Sequence, residues 1–381
     1  MKYYIIAGEA SGDLHGSNLV ASIFAKDKEA VVRGFGGDLM QQQGLQLVKH
    51  YRDMAFMGFL PVLLNLRSIF CNLALCKEDI KAFAPDVVIL IDYPGFNLKI
   101  AKFAKKILQL PVFYYIPPKL WAWKEYRIKD IKKFVDKVFT IFPFETDFYA
   151  KHQCQVQYVG NPSVESVQTF QAIASNRTQF MLENALDDKR IIAILPGSRK
   201  QELEACLPIM LQVDFSKFAD YQFVVAATDA LPCALYRKLM QGSDAKIVYG
   251  KTYDLLQHAD VAIVTSGTAT LETALFNVPQ VVCYEAFLSW LVAPFLRLIL
   301  KIKYVSLVNI IAQKELVKEL LIQDFTPLNT QNELHKLVFD QAYRNAMLQG
   351  YVALKTELGT TIASDTAAHA MITFLQKVKR G

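Results

Sequence analysis

The feature that most constrains this chain is an alternation, run through twice, between short β-branched stretches and longer helical ones. The first round reads as strands at residues 3–7, 31–34, 87–92, 112–116 and 137–141, with helical segments between them such as 12–24 and 97–108. A polar stretch, 161–188, follows without a strong strand signal. The alternation then restarts, with strands at 191–195, 222–227, 246–249, 261–265 and 280–284. Strands separated by helix-length crossovers form parallel sheets with helices on both faces. The chain is therefore read as α/β, with two doubly wound, Rossmann-like halves facing a cleft. Ligands of such sheets sit beyond the carboxyl ends of the strands, so the strand-end loops are where chemistry is sought.

At 381 residues the chain has room for two domains or three. A hydrophobic share of 52% excludes a disordered chain, and 17 Gly with 14 Pro exclude a collagen-like one. The six cysteines (Cys71, Cys76, Cys154, Cys206, Cys233, Cys283) show no CxxC spacing, so they read as buried reduced thiols rather than a zinc site. The N-terminus is a first strand, not a signal peptide. Two apolar stretches need a membrane test. Residues 54–76 hold a single charge, Arg67, which near mid-span costs about 2.5–3.5 kcal/mol. Residues 286–296 are too short for the roughly 20 a span requires. Neither is a spanning helix, and both can lie on a bilayer surface. Between Lys99 and Lys137, eleven Lys/Arg face three Asp/Glu. That run is a solvated face or, beside apolar segments, an attraction to anionic lipid.

Four strand ends carry candidate chemistry. GEASGD at 8–13 offers Glu9, Ser11 and Asp13 at a glycine turn that opens a helix. The plainer reading makes Ser11 or Asp13 the helix cap. At 91–97, IDYPGFN ends a strand with Asp92, either a base for an attacking hydroxyl or a cap for the next helix. In LPGSR, 195–199, Ser198 and Arg199 open a helix where a guanidinium can fork onto phosphate, or can pair with Glu202. In SGTATLE, 266–272, Ser266, Gly267 and Thr268 present free amides to a phosphate, with Glu272 one turn on, able to accept from ribose hydroxyls. The aromatic stretch 114–123 supplies stacking or packing surface. Walker A, HExxH and GxSxG are absent, and the six histidines have no ligand spacing. Only His15 sits beside a candidate loop.

These motifs, in this order, with GFGG at 34–37, MG at 57–58, WAW at 121–123, FPFE at 142–145 and YVSLVN at 304–309, resemble the lipid-A-disaccharide synthase family. The resemblance implies a GT-B fold: an acceptor- and membrane-binding domain at 1–165, a UDP-sugar domain at 166–360, and a C-terminal helix at about 361–381 crossing back to the first domain. It implies an inverting transfer from UDP-2,3-diacylglucosamine to 2,3-diacylglucosamine 1-phosphate (lipid X), giving the lipid A disaccharide phosphate and UDP. No cofactor or metal and no nucleic acid is expected. Asp92 matches the family's base for the acceptor 6-hydroxyl, and Glu9, Ser11 and Asp13 face the reacting sugars. Ser198, Arg199, Ser266, Gly267 and Thr268 match the pyrophosphate site, Glu272 the ribose site, and Asn309 a weaker donor contact. The implied location is cytoplasmic, peripheral on the inner membrane of a Gram-negative bacterium. Within 54–76, Phe59, Leu60, Leu63, Leu64, Leu66 and Ile69 are the candidate acyl-chain or membrane contacts, with Asn65, Ser68 and Asn72 on a polar stripe. A buried helical hairpin and a homodimer contact stay open for this segment.

Two departures stand out. Pro117 replaces a usual Ser, and Asn161 a usual His, so neither side chain's role carries over. Other classes fit the sequence less well. Another UDP-sugar GT-B enzyme (a peptidoglycan-type transferase or a 2-epimerase) shares the donor motifs but needs no greasy insert. A dinucleotide oxidoreductase lacks GxGxxG. A membrane scaffold leaves LPGSR and SGTATLE unexplained.

Overall fold

The computed structural model describes residues 1–54, 66–122, 124–285 and 303–380. They divide into two compact units, Met1–Pro162 with Thr361–Gly381, and Ser163–Thr360.

In the first unit the strands are β1 (Lys2–Ala7), β2 (Val31–Gly36), β3 (Gln46–His50), β4 (Val87–Ile91), β5 (Val112–Tyr115), β6 (Lys137–Thr140) and β7 (Gln157–Tyr158). They form one parallel sheet in the order β3-β2-β1-β4-β5-β6-β7. Its helices are α1 (Ala10–Lys26), α2 (Asp38–Gln42), α3 (Leu66–Phe83), α4 (Pro94–Ile107), α5 (Ile128–Phe134), α6 (Phe144–Lys151) and the start of α7 (Pro162–Gln171). A sheet covered on both faces needs strands that are apolar on both faces, which is why KYYIIA and VVILI are continuous runs. The pleat sorts them. Tyr4, Ile6, Val88, Leu90 and Tyr114 share one core with Cys76 and Ile80 of α3, Ile100 and Ala104 of α4, and Ile131 of α5. Tyr3, Ile5, Ile89, Ile91 and Phe113 share the other with Leu19, Val20 and Ile23 of α1.

The second unit holds α8 (Arg177–Glu183), β8 (Arg190–Leu195), α9 (Lys200–Met210), β9 (Tyr221–Ala227), α10 (Cys233–Leu239), β10 (Lys246–Tyr249), α11 (Thr252–His258), β11 (Val261–Thr265), α12 (Thr268–Leu275), β12 (Gln280–Tyr284), α13 (Leu307–Ala312), β13 (Lys318–Leu321), α14 (Pro327–Phe339) and α15 (Gln341–Leu358). Its sheet is also parallel, in the order β10-β9-β8-β11-β12-β13. Each sheet runs outward from its first strand and then reverses, the Rossmann winding expected of the sequence. The reversal falls between β1 and β4 in one unit and between β8 and β11 in the other.

The last helix, α16 (Ala363–Arg380), returns to the first unit, as the resemblance implies. Its Ala367, Ala368, Met371, Ile372 and Leu375 complete the core that α1 covers. The cysteine expectation needs correction. Cys76, Cys206 and Cys283 are buried, but Cys71 and Cys233 are exposed and Cys154 is half-buried; no described cysteine is in a disulfide.

Candidate functional site

In each unit the candidate residues gather at the reversal point, where two strands end side by side and their loops diverge.

In the first unit, Gly8 follows β1 and Asp92 follows β4. Gly8 allows these two loops to touch. A Cβ there would lie 2.3 Å from the Tyr93 ring, so no other residue fits. Helix α1 starts earlier than its sequence signals indicate, with Glu9 as the N-cap, so Ser11 and Asp13 lie inside its first turn. Ser11 is exposed. Asp13 is 3% exposed, and its carboxylate accepts the amides of Gly37 (2.8 Å), Met40 (3.1 Å) and Leu39 (3.1 Å). The carboxylate thus caps α2 rather than α1, and the GFGG segment is what it grips. Three charge-assisted bonds leave it little capacity for a substrate.

Asp92 and Tyr93 both sit in the left-handed region, at φ 44° and 46°. Non-glycine residues are held there only when their surroundings over-determine them. Those surroundings are explicit. The Asp92 amide donates to the Ile116 carbonyl (3.2 Å), and its own carbonyl accepts the Tyr114 hydroxyl and the Asn97 amide, both at 2.7 Å. The N-cap of α4 is Tyr93, so the Asp92 side chain is not used as a cap. Burial raises the Asp92 carboxyl above the usual range, against the opposing pull of the Lys119 charge and the Tyr93 amide. Tyr93 is fixed by its hydroxyl, which donates to the Met54 carbonyl (3.0 Å), and by stacking on Phe96.

The FPFE motif ends in Glu145, to which the sequence alone assigns no role. Glu145 is buried, accepts the Trp121 indole N–H (3.1 Å) and the amides of Ile141 and Phe142 (3.2 Å each), and burial pushes its carboxyl up to about 7. His15 lies on α1, and burial lowers its imidazole to about 4, which leaves it neutral.

In the second unit, Arg199 is the N-cap of α9. Its guanidinium is 63% exposed and donates to Glu202 Oε1 at 2.7 Å. Glu202 Oε2 accepts the Ser198 and Arg199 amides, both at 3.2 Å. One carboxylate therefore occupies three donors of the kind that bind phosphate oxygens. At the end of β11, the Ser266 hydroxyl donates to the Val305 carbonyl (3.0 Å). Gly267 is the N-cap of α12, with no atom within 4 Å of where its Cβ would be. The amides of Thr268 and Ala269 open that helix, where none has an intrahelical acceptor. Glu272 accepts the Tyr253 hydroxyl at 2.8 Å, so one oxygen is engaged, and burial raises its carboxyl. Tyr253, not singled out from sequence, is held by Phe170 and Phe276.

Asn309 differs most from its expected role. It is 0% exposed, donates to the Val317 carbonyl and Glu319, and accepts the amides of Leu316 and Val317. Its hydrogen-bonding capacity is used within the unit. Glu319 in turn binds the amides of Val305 and Ser306, so the pair fixes the segment that meets Ser266.

Of the apolar insert, Phe59, Leu60, Leu63 and Leu64 lie outside the described residues, as do the Leu66 side chain, the Met57–Gly58 pair and Trp123. Ile69 is half-buried against the core. Of the expected polar stripe, Asn65 lies outside the described residues, Ser68 is half-buried and Asn72 is buried, while Phe70 is 60% exposed with the Lys99 ammonium 5.6 Å from its ring. Among the described residues no helix is long and apolar enough to cross a membrane, and no group of three acidic, His or Cys residues could hold a metal.

Residues 3–371 match a family model described as lipid-A-disaccharide synthetase. A lipid-A-disaccharide synthase of Syntrophus aciditrophicus is 35% identical over 380 residues, covering 98% of this chain and 97% of that one. One from Myxococcus xanthus is 35% identical, covering 97% of each chain, and one from Coxiella burnetii is 33% identical, covering 96% of each. Among solved structures, a UDP-GlcNAc 2-epimerase of Neisseria meningitidis bound to UDP-GlcNAc superposes with a TM-score of 0.64 at 11% identity, covering 99% of this chain and 100% of that one. The calicheamicin glycosyltransferase CalG4 does so at 0.59 and 13% identity, covering 99% and 98%. At those identities the structures speak for the fold alone.

Proposed function

The chain belongs to the lipid-A-disaccharide synthase family, and from that premise we propose how its residues share the reaction. The protein is a glycosyltransferase of lipid A biosynthesis. The donor is UDP-2,3-diacylglucosamine and the acceptor 2,3-diacylglucosamine 1-phosphate. The acceptor 6-oxygen forms a bond to the donor's anomeric carbon as the bond to the UDP oxygen breaks. UDP leaves with that electron pair, the acceptor proton passes to the enzyme, and the anomeric configuration inverts.

Asp92 takes the proton. The observation that carries this reading is its backbone, held in a left-handed conformation by three hydrogen bonds beside the β1 loop, with the carboxylate left free of capping duty. A raised carboxyl is also the better proton acceptor, provided it stays ionised. Glu9, the N-cap of α1, and Ser11, in its first turn, orient the acceptor. Asp13 serves them indirectly by fixing α1 to the GFGG turn.

The departing diphosphate needs positive charge and fixed donors. Arg199, the Ser198 amide, the Gly267 amide and the amides of Thr268 and Ala269 that open α12 supply them. The diphosphate takes over donors that Glu202 otherwise holds. Glu272 accepts from the ribose with its remaining oxygen, and Ser266 and Asn309 shape the turn.

The membrane surface is met by the outer side of α3 and α4. Phe70 is exposed there beside Lys99, and Lys77 and Lys81 lie against the Phe103 ring, an apolar and cationic mixture suited to anionic lipid. We infer from this surface, and from the family's lipid substrates, that the enzyme works at the cytoplasmic face of the inner membrane.

The test is acceptor-dependent UDP release in detergent micelles, wild type beside Asp92→Asn. The variant should lose at least about 100-fold with its circular dichroism and its inhibition by UDP unchanged. Undiminished release by the folded variant would remove Asp92 as the base.

A further inference from the structure

Two carboxylates, Asp92 after β4 and Glu145 after β6, flank a loop that leaves the strand between them. Strand β5 lies between β4 and β6, and residues 116–122 form its exit loop. The loop is tied at both ends. Its first carbonyl, that of Ile116, accepts the Asp92 amide (3.2 Å), and the Ile116 amide donates to the Phe139 carbonyl (3.1 Å). At the far end the Trp121 indole donates to Glu145 (3.1 Å). Ile116 is held at φ 59°, a conformation that β-branched residues rarely adopt. Pro117, Pro118, Leu120 and Ala122 are buried, while Lys119 is exposed at the crest. Its charge bears on both Asp92 and Glu145.

We propose that Lys119 supplies the counter-charge of Asp92, and that the Glu145–Trp121 hydrogen bond holds it in place. The inference rests on Asp92 being the base. Burial favours the neutral acid, which cannot accept a proton, so a buried base needs a cation nearby. Among the described residues, Lys119 is the cation whose charge acts on the Asp92 carboxyl, and the other groups nearby act elsewhere. Tyr114 of β5 gives its hydroxyl to the Asp92 carbonyl, and Tyr93 gives its own to Met54; both phenols are raised and neutral. Glu9, from the β1 loop, adds negative charge beside Tyr93, and Arg127 bears on Tyr114. Lys119 is a positioning residue here: it acts on substrate through Asp92.

The experiment is the pH profile of kcat/KM for the acceptor in Lys119→Gln, Lys119→Arg, Trp121→Phe and Asp92→Asn. Losing the cation raises the pH at which Asp92 ionises. The acid limb of Lys119→Gln should move up by about 0.5–1 pH unit, with the high-pH plateau at the wild-type level. Lys119→Arg keeps the charge and should restore the limb. Trp121→Phe changes no charge and should move the limb the same way by less. If Lys119→Gln leaves the limb in place while Asp92→Asn is inactive, the inference falls and the base assignment stands. A loss equal at every pH and confined to the acceptor KM also overturns it, making Lys119 a contact for the acceptor phosphate. If Asp92→Asn stays active, the base reading falls and this inference with it. A limb that moves in Lys119→Gln but not in Trp121→Phe removes the part given to Glu145 and Trp121.

Discussion

Glu145 shows how much a single side chain can conceal from its sequence. In FPFE it is an acidic residue in the first turn of a helix, where such residues commonly sit exposed near the helix's positive end. Only the fold reveals that it is buried and shared between an indole and two amides. Lys119 was hidden differently, as one of eleven basic residues in a run that reads as solvated surface. Burial raises the Glu145 carboxyl from its ordinary 4.5 to about 7. A group raised on folding favours the native state below its unfolded value and loses that contribution as pH rises through the native one. Between pH 4.5 and about 7 Glu145 therefore erodes stability, and Glu145→Gln should flatten the fall of Tm across that window. Trp121 reports the same event. Its emission should change with a midpoint near 7, and the change should vanish in Glu145→Gln. A pH-independent emission from the folded wild type would contradict the assignment.

At the scale of elements, the sequence was most legible where strands are central. The runs in β1, β4, β8 and β11 are buried on both faces, and burial on both faces demands uninterrupted apolar residues. Three strands were missed: β3 (QLVKH), β7 (QY) and β13 (KELL). All lie at sheet edges. An edge strand faces solvent along one side and is kept short and charged, so it lacks the pattern by which strands are recognised. The candidate loops were legible as strand ends, but the use of each side chain was not. Asp13 is the plain case, a carboxylate in a functional motif that serves as the cap of the next helix. Asp13→Asn should cost about 1–2 kcal/mol by exchanging one acceptor oxygen for a donor that faces an amide. Transfer measured below the lowered Tm should stay within about tenfold of wild type. A far larger loss with Tm unchanged would return Asp13 to the chemistry.

At the scale of the whole molecule, the first unit is discontinuous and the second is not. Helix α16 contributes Met371, Ile372 and Leu375 to the core under α1, at about 1.5–3 kcal/mol for each large apolar side chain fully buried. Deleting residues 361–381 should therefore lower the calorimetric transition of the first unit sharply and leave that of Ser163–Thr360 in place. Movement of both transitions together, or of neither, would show that α16 is not the local closure described. The same discontinuity dictates an order of events on the ribosome. Domains ordinarily fold in the order in which they are synthesised. Here the first-made strands and α1 must wait, their shared core still lacking Ala367, Ala368, Met371, Ile372 and Leu375, while the contiguous second unit is made and closes. The nascent chain thus carries an exposed apolar face through most of its own synthesis, and that face is shielded only after residues 361–381 have emerged.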